Sequence, residues 1–451
     1  MSPEPGTTAA AGPRLRRTLT LSDLILYGII VIQPVAPMSV FGVLSDRGKG
    51  HVVTAILIAM VAMLFTGISY GRMARAYPSA GSAFTYVAQE VNPAVGYITG
   101  WSMVMDYMLN PLICTVWCAG QAHQFAPGVP AWIWKIFFAT MFTLLNVRGV
   151  KTSARINTGM AIAMGAVVVA IFVAAARYIF GGPHDGWAFF TRPFYDPATF
   201  NAKDVLAGTS IAVLTYIGFD GISTLSEEVE NPRRNILLAT VMTCVVIGIL
   251  SALECYTAQL VWPASQPFPN SVTAFVDVAG RTAAPLAWVI GLTLIVANFG
   301  SGMAAQTGAA RLLYGMGRSQ ALPKFFASVE PKRHIPRNNV IFVGVIALVG
   351  AFLISYDLGA EMLNFGALIA FMGVNLAVIK HYYIRNRDRR LTNLIPPLFG
   401  FLVCLLLWLN LSRLAQGLGA AWMIIGIAFG AWKTRGFRGN LINFELPPEE
   451  A

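Results

Sequence analysis

The chain has 451 residues, of which 56% are hydrophobic and only 12% are Asp, Glu, Lys or Arg; its mean hydropathy is +0.62. A soluble protein carries about twice that charged fraction and enough polar surface to cover its core, so a soluble enzyme is excluded. The formal charge of +11 would suggest a nucleic-acid partner in a soluble domain, but no polar segment interleaves basic and aromatic residues, and nucleic acid is excluded too.

Residues 1–21 are rich in Pro, Gly and Ala and carry Arg14, Arg16 and Arg17. They lack the apolar core and cleavage pattern of a signal peptide, and read as a flexible tail retained on the cytoplasmic side. Beyond them, a ruler of roughly 20 apolar residues per membrane crossing marks about twelve helical spans. The first six run near Ser22–Leu44, Val52–Met73, Ala94–Gln121, Trp132–Asn146, Ile156–Phe180 and Val205–Leu225. The second six run near Ile236–Trp262, Ala284–Tyr314, Val340–Tyr356, Glu361–His381, Asn393–Leu411 and Gly417–Trp432. Residues 433–451 form a second cytoplasmic tail.

The basic residues test this count, because Lys and Arg gather in cytoplasmic loops. With the N-terminus inside, only Arg47, Lys49, Lys135, Arg177, Arg192, Lys203, Arg281 and Arg413 fall outside, and the rest of the 32 basic residues fall inside. Both termini are therefore expected on the cytoplasmic side.

Two spans read as broken. In the first, Gln33-Pro34-Val35-Ala36-Pro37 removes two amide donors and makes a continuous helix untenable. In the sixth, Gly218 and Gly221 flank Asp220. Backbone unwound inside a membrane persists only where it faces protein or a polar cavity, and paired interruptions in corresponding spans point to a binding site. A proline kink and close glycine packing are the plainer alternatives.

The five cysteines (Cys114, Cys118, Cys244, Cys255, Cys404) lie in apolar runs, form no CxxC pair and read as small packed hydrophobes. The five histidines make no cluster, and no phosphate loop, zinc-protease motif or nucleophile elbow is present. No cofactor and no metal site is expected.

Three stretches resemble the amino acid–polyamine–organocation (APC) transporters. Tyr70-Gly71-Arg72-Met73-Ala74-Arg75-Ala76-Tyr77-Pro78-Ser79-Ala80-Gly81-Ser82-Ala83-Phe84-Thr85-Tyr86 resembles that family's loop between the second and third helices. Ile217-Gly218-Phe219-Asp220-Gly221, with Glu227-Glu228-Val229-Glu230-Asn231-Pro232-Arg233-Arg234 after it, resembles the sixth-helix motif and the loop that follows. Arg311-Leu312-Leu313-Tyr314-Gly315-Met316-Gly317-Arg318 resembles the end of the eighth helix. Gly100-Trp101-Ser102-Met103-Val104-Met105-Asp106-Tyr107 and Gly218–Glu228 are most similar to the putrescine-importer branch.

The resemblance implies an all-α polytopic membrane protein of the leucine-transporter (LeuT-like) fold. Helices 1–5 (about 22–180) and 6–10 (about 205–381) would form two inverted repeats, helices 1 and 6 would be discontinuous, and two further helices would follow at 392–432. It implies a secondary transporter for an amino acid or a polyamine-like amine working by alternating access, importing, with the lipid bilayer around it, as monomer or homodimer. The implied contact backbone is Ile32, Gln33, Pro34, Val35, Ala36, Pro37 and Met38 with Tyr216, Ile217, Gly218, Phe219, Asp220 and Gly221. In such folds half-helix N-termini hold a carboxylate and the opposite ends hold an amine.

A carboxylate in mid-membrane costs about 2.5–3.5 kcal/mol on insertion scales, so Asp220 is expected to pair with a substrate ammonium, to take up a proton, or to bond the unwound backbone. Asp106, with Tyr107 beside it and Trp101 just over a turn before, either lines the site or is a paired structural acid. Glu254, nearer the outer end of the seventh span, reads as structural or as part of a vestibule. Glu227 and Glu228, near Arg233 and Arg234, are candidates for an inner gate or a solvated loop. The coupling ion is open between Na+ and H+. Relatives that use a fifth-helix lysine would place it near Met164, and Asn157–Ala176 contains no Lys; Ser301 and Thr307 offer oxygens to sodium.

Two rivals remain. Asp46-Arg47-Gly48-Lys49-Gly50 is similar to the signature loop of major-facilitator carriers, but falls between the first and second spans on the wrong side. A channel or membrane enzyme would need a re-entrant filter or a clustered catalytic set, and neither is found.

Overall fold

The computed structural model describes residues 19–77, 82–149, 154–183, 186–225, 229–318, 320–330 and 335–436. Their regular secondary structure is helical; the only strand-like pairings among them are single bridges, Leu19 with Val229 and Glu330 with Ile335.

The chain opens with α1 (Leu21–Ile32), which begins at a reciprocal cap. Thr20 Oγ1 accepts the Asp23 N–H at 3.3 Å, and the Asp23 carboxylate accepts the Thr20 N–H at 2.9 Å. It stops at Gln33, and α2 (Ala36–Arg47) continues it at a 48° bend. Next come α3 (Val52–Ala76), the short α4 (Ser82–Glu90), α5 (Pro93–Phe125), α6 (Ala131–Val147) and α7 (Ala154–Gly181). The second half holds the short α8 (Trp187–Thr191), then α9 (Ala202–Ala212) followed by two 3-10 segments, Val213–Tyr216 and Phe219–Leu225. It goes on with α10 (Pro232–Val261), α11 (Ala274–Thr282), α12 (Ala284–Arg318), α13 (Arg337–Leu353) and α14 (Tyr356–Val378), and closes with α15 (Ile395–Leu409) and α16 (Arg413–Lys433).

Every span expected from the sequence coincides with one of these helices or with a broken pair. Among the described residues eight helices are long and apolar enough to cross a membrane, and the bent pair α1–α2 makes a ninth. The other three expected spans are α6 and α13, of 17 residues each, and α5. Seventeen residues sits at the lower limit for a crossing, about 17–25. α5 has 33 residues, but its apolar character is diluted by Asp106, Asn110 and Gln121.

α3, α5, α10, α12 and α14 form the inner bundle, while α7, α15 and α16 turn residues such as Val169, Leu402 and Ile424 outward. Small residues let the inner helices close up, as in membrane bundles generally. At Gly366 on α14 a Cβ would stand 2.4 Å from the Ser102 carbonyl oxygen of α5. The start of α1 and the end of the sixth span meet on one face, where the Glu230 N–H donates to the Leu19 oxygen at 2.9 Å. We call it the tail face.

Candidate functional site

Proline chemistry makes the first break. Gln33 has φ 70°, closes α1 by donating its N–H to the Ile29 oxygen at 2.9 Å, and sends its side-chain amide to the Ala297 oxygen of α12 at 2.6 Å. Pro34 has no N–H to continue the ladder. The carbonyls of Ile30, Val31 and Ile32 therefore accept no hydrogen bond among the described residues. On the far side most donors at the start of α2 are committed: the Ala36 N–H goes to the Gln33 oxygen and the Met38 N–H to the Val35 oxygen, each at 3.1 Å, Pro37 has none, and the Val35 N–H has no acceptor among the described residues.

Glycine makes the second break. Ile217 is extended, and Gly218 has φ 118°, which an L side chain rarely adopts. A Cβ on Gly218 would lie 3.0 Å from Val31 Cγ1 and 3.4 Å from Ile32 Cγ1, so the two breaks touch. Just beyond, Asp220 is only 4% exposed. The Gly221 N–H donates to the Gly218 oxygen at 3.0 Å, the amides of Gly218 and Asp220 lie by the carboxylate, and the Tyr107 hydroxyl donates to Oδ2 at 3.3 Å.

Asp106 on α5 is also buried and close enough to feel the charge of Asp220. Tyr70 lies within the influence of both acids, as does Tyr107, which also senses Tyr27. No described Lys, Arg or His forms a salt bridge with either carboxylate. Two buried acids without a basic partner are costly unless a proton or an external cation occupies the site. Next to them lies a cavity of about 70 Å³, roomy enough for water. Its polar lining is Gln33, Ser39, Asn110, Asn298, Ser301 and Tyr356. Asn298 donates to Ser39 Oγ at 2.9 Å, a second tie between α12 and the first broken span. A larger hollow, about 330 Å³, is an apolar groove on the outside between α3 and α15; it has no group that can recognise a solute.

Of the residues singled out in the sequence, Ile32, Gln33, Ala36, Ile217 and Ser301 line the cavity. Asp106, Tyr107 and Asp220 form the acidic cluster beside it, and a Cβ on Gly221 would lie 3.8 Å from the Tyr27 hydroxyl. Others face elsewhere. Pro34 is not among the lining residues, Val35 and Met38 are buried, and the Pro37 carbonyl faces Cys255 Sγ at 4.0 Å. The Tyr216 hydroxyl donates to the Ile56 oxygen of α3 at 3.1 Å, and the Phe219 ring packs on Tyr70 and Phe371. Thr307 Oγ1 donates to Asn146 Oδ1 at 3.1 Å, towards α6. Trp101 stacks on Trp422 at 4.6 Å, and each indole N–H donates to the other's carbonyl oxygen, so this pair ties α5 to α16. Glu227 and Glu228 lie outside the described residues.

Asn110, Asn298, Ser39 and Tyr356 went unnoticed in the sequence. The signal was there for Asn110: Asp106, Asn110 and Cys114 follow each other at helical spacing on one stripe of α5, and an intramembrane polar residue is a site candidate by default. Among the described residues no three His, Cys, Asp or Glu gather as metal ligands.

The family model described as amino acid permease matches residues 18–432. The low-affinity putrescine importer PlaP of Escherichia coli is 35% identical over 444 residues, covering 96% of both chains. The branched-chain amino acid permease BcaP of Bacillus subtilis is 26% identical over 92% of both chains. A methylthioribose transporter of the same bacterium is likewise 26% identical over 92% of both. The all-helical bundle with its first and sixth spans interrupted agrees with the leucine-transporter-type fold that the sequence motifs implied. The chain belongs to the amino acid permease family within the APC superfamily.

Proposed function

We propose that this permease is a secondary active carrier that imports an organic amine of the polyamine class by alternating access. What carries the substrate class is the balance of donors and acceptors at the breaks. A substrate carboxylate needs free N–H groups, as helix N-termini usually provide. Here the Ala36 and Met38 amides at the start of α2 are spent and Pro37 has none, which leaves the Val35 amide alone there. In the second break the Gly221 amide is bonded to the Gly218 oxygen, while those of Gly218 and Asp220 lie by the Asp220 carboxylate. Against these few donors stands a larger electronegative set: the Ile30, Val31 and Ile32 carbonyls, Asp106 and Asp220, and the tyrosine hydroxyls. That set suits an ammonium group, with the amides and hydroxyls of the cavity receiving the rest of the cargo. The similarity to a putrescine importer supports the same class.

In this reading the two broken helices rock against the rest of the bundle, as two five-helix repeats with α15 and α16 outside them. Both termini lie in the cytoplasm of a cell whose cytoplasmic membrane holds the protein, and the gradient of Na+ or H+ drives entry. The rival cargo is a neutral amino acid, favoured by the family description and by the branched-chain permease.

The purified chain in liposomes decides between them. Labelled putrescine is expected to enter, with unlabelled diamines competing and leucine or valine not competing. Uptake of a neutral amino acid that putrescine does not inhibit would refute the amine class and leave the family intact.

A further inference from the structure

The other deeply buried acids with described surroundings have company. Asp106 and Asp220 have tyrosines beside them, and Glu361 meets Arg47 at 3.0 Å and accepts the Ser412 N–H at 3.2 Å. Glu254 has none. It lies in the half of α10 remote from the tail face and is wholly buried, and neither carboxyl oxygen has a hydrogen-bond partner among the described residues. Ser251, one turn earlier on the same face, has a buried hydroxyl in the same condition. Leu or Gln would fill such a position at less cost than an acid, so packing alone does not account for it.

The helix that carries this acid adjoins both breaks. α10 packs against α1, α2, α3, α7, α11 and both 3-10 segments of the sixth span, so it touches both broken helices. None of those elements brings a charged or titratable side chain to Glu254 among the described residues. The one titratable neighbour is the thiol of Cys255, next in the chain, and Cys255 Sγ sits 4.0 Å from the Pro37 oxygen at the start of α2. An ionised carboxylate with neither donor nor counter-charge is not accommodated in a dry position, whereas the neutral acid is.

We propose that Glu254 is a proton-carrying site, separate from the Asp106–Asp220 cluster, which holds its proton while α2 and α10 stay packed and releases it when they part. The O–H bond breaks, its electron pair stays on the carboxylate, and the proton passes to water entering between the helices; reclosure takes a proton back. Opening of this half of the carrier is thereby linked to pH, and net transport draws on a proton gradient. The proposal rests on the carrier reading above.

The test compares full-length wild type and Glu254→Gln in proteoliposomes. Two modes are measured: putrescine accumulation driven by a pH gradient, and exchange of labelled for unlabelled putrescine at equal pH. The ratio of driven accumulation to exchange is expected to fall about tenfold in the variant. Infrared spectra of the same samples should show the stretching band of an isolated protonated carboxyl in wild type and lack it in Glu254→Gln. A preserved ratio, or identical carboxyl bands, overturns the proposal. Should wild type move no amine in either mode, the cargo reading fails while the infrared band still decides the proton site. If the variant does not insert, carbodiimide, which attacks protonated carboxyls in apolar surroundings, is applied to wild type: labelling of Glu254 supports the site and its absence overturns it.

Discussion

Glu90 and Asp220 are equally buried, at 3% and 4% exposure, yet they keep opposite company. Glu90 ends α4 on the tail face, where Oε1 accepts from the Tyr77 hydroxyl, meets His381 Nδ1 and pairs with Arg385 at 3.3 Å. Burial pushes its carboxyl up. The hydrogen bonds of Tyr77 and His381 and the positive charge around it outweigh that, leaving Glu90 below the usual carboxylate range. Tyr77, buried and bonded to Glu90, is pushed up to about 12. Asp220 has amides and tyrosines but, among the described residues, no cation. An acid whose counter-charge is built into the chain fastens helices together, here the end of α3, α4 and the π-helical stretch Ile379–Arg385 that continues α14. An acid whose counter-charge is missing leaves room for one to arrive.

The largest expected effect tests the empty position. Asp220→Asn should reduce putrescine uptake about a hundredfold, since removing one partner of a buried charge pair costs about 2–5 kcal/mol. Its thermal midpoint in detergent without substrate should hold or rise, because an uncompensated buried charge is gone. Uptake at the wild-type rate would remove Asp220 from the cargo site and end the contrast with Glu90.

The filled position should respond the other way. Glu90→Gln is expected to lower stability by about 1.5–3 kcal/mol, the usual worth of hydrogen bonds to a charged group, while the pattern of competing amines stays the same. The sign of its pH dependence follows from the direction of the shift. A carboxyl held below its ordinary value of 4.5 stabilises the fold fully above that pH and loses the contribution as pH falls through the folded value. The gap in thermal midpoint between wild type and Glu90→Gln should therefore close on acidification. A gap that widens in acid would mean that Glu90 is not the charged centre of the clamp.

How much of this was legible in the sequence depends on how local the cause is. Pro34, Pro37 and Gly218 break helices through their own covalent chemistry, so the two interruptions could be placed to within a few residues. The expected gaps, Gln33–Pro37 and Ile217–Gly221, shrink in the structure to Gln33–Val35 and Ile217–Gly218, because 3-10 turns and α2 resume early. Asp220 and Asp106 stood out because charge in an apolar run is rare. Trp101 did not reveal its partner, which lies 321 residues away on α16, and only tertiary packing brings the two indoles together. Nor did the motif show that the Gly218 and Asp220 amides lie by Asp220's own carboxylate, on which the proposed choice of cargo rests.

The smallest effect expected is the one that probes that last point. Pro37 is the second residue of α2, a position where a helix normally leaves its N–H free. Pro37→Ala should supply one donor at the positive end of α2 without restoring the helix across the break, because Pro34 still interrupts the ladder. A cargo that carries a carboxylate beside its amines, such as ornithine, should then compete against putrescine about fivefold better than in wild type, the worth of a single net hydrogen bond of about 1 kcal/mol. Pro34→Ala is the control: its new N–H faces the Ile30 carbonyl along the helix ladder, so it should slow transport without admitting carboxylates. If Pro37→Ala leaves ornithine and putrescine competing as before, the shortage of amide donors at the first break is not what sets the choice of cargo, and Asp106 and Asp220 must discriminate by charge alone.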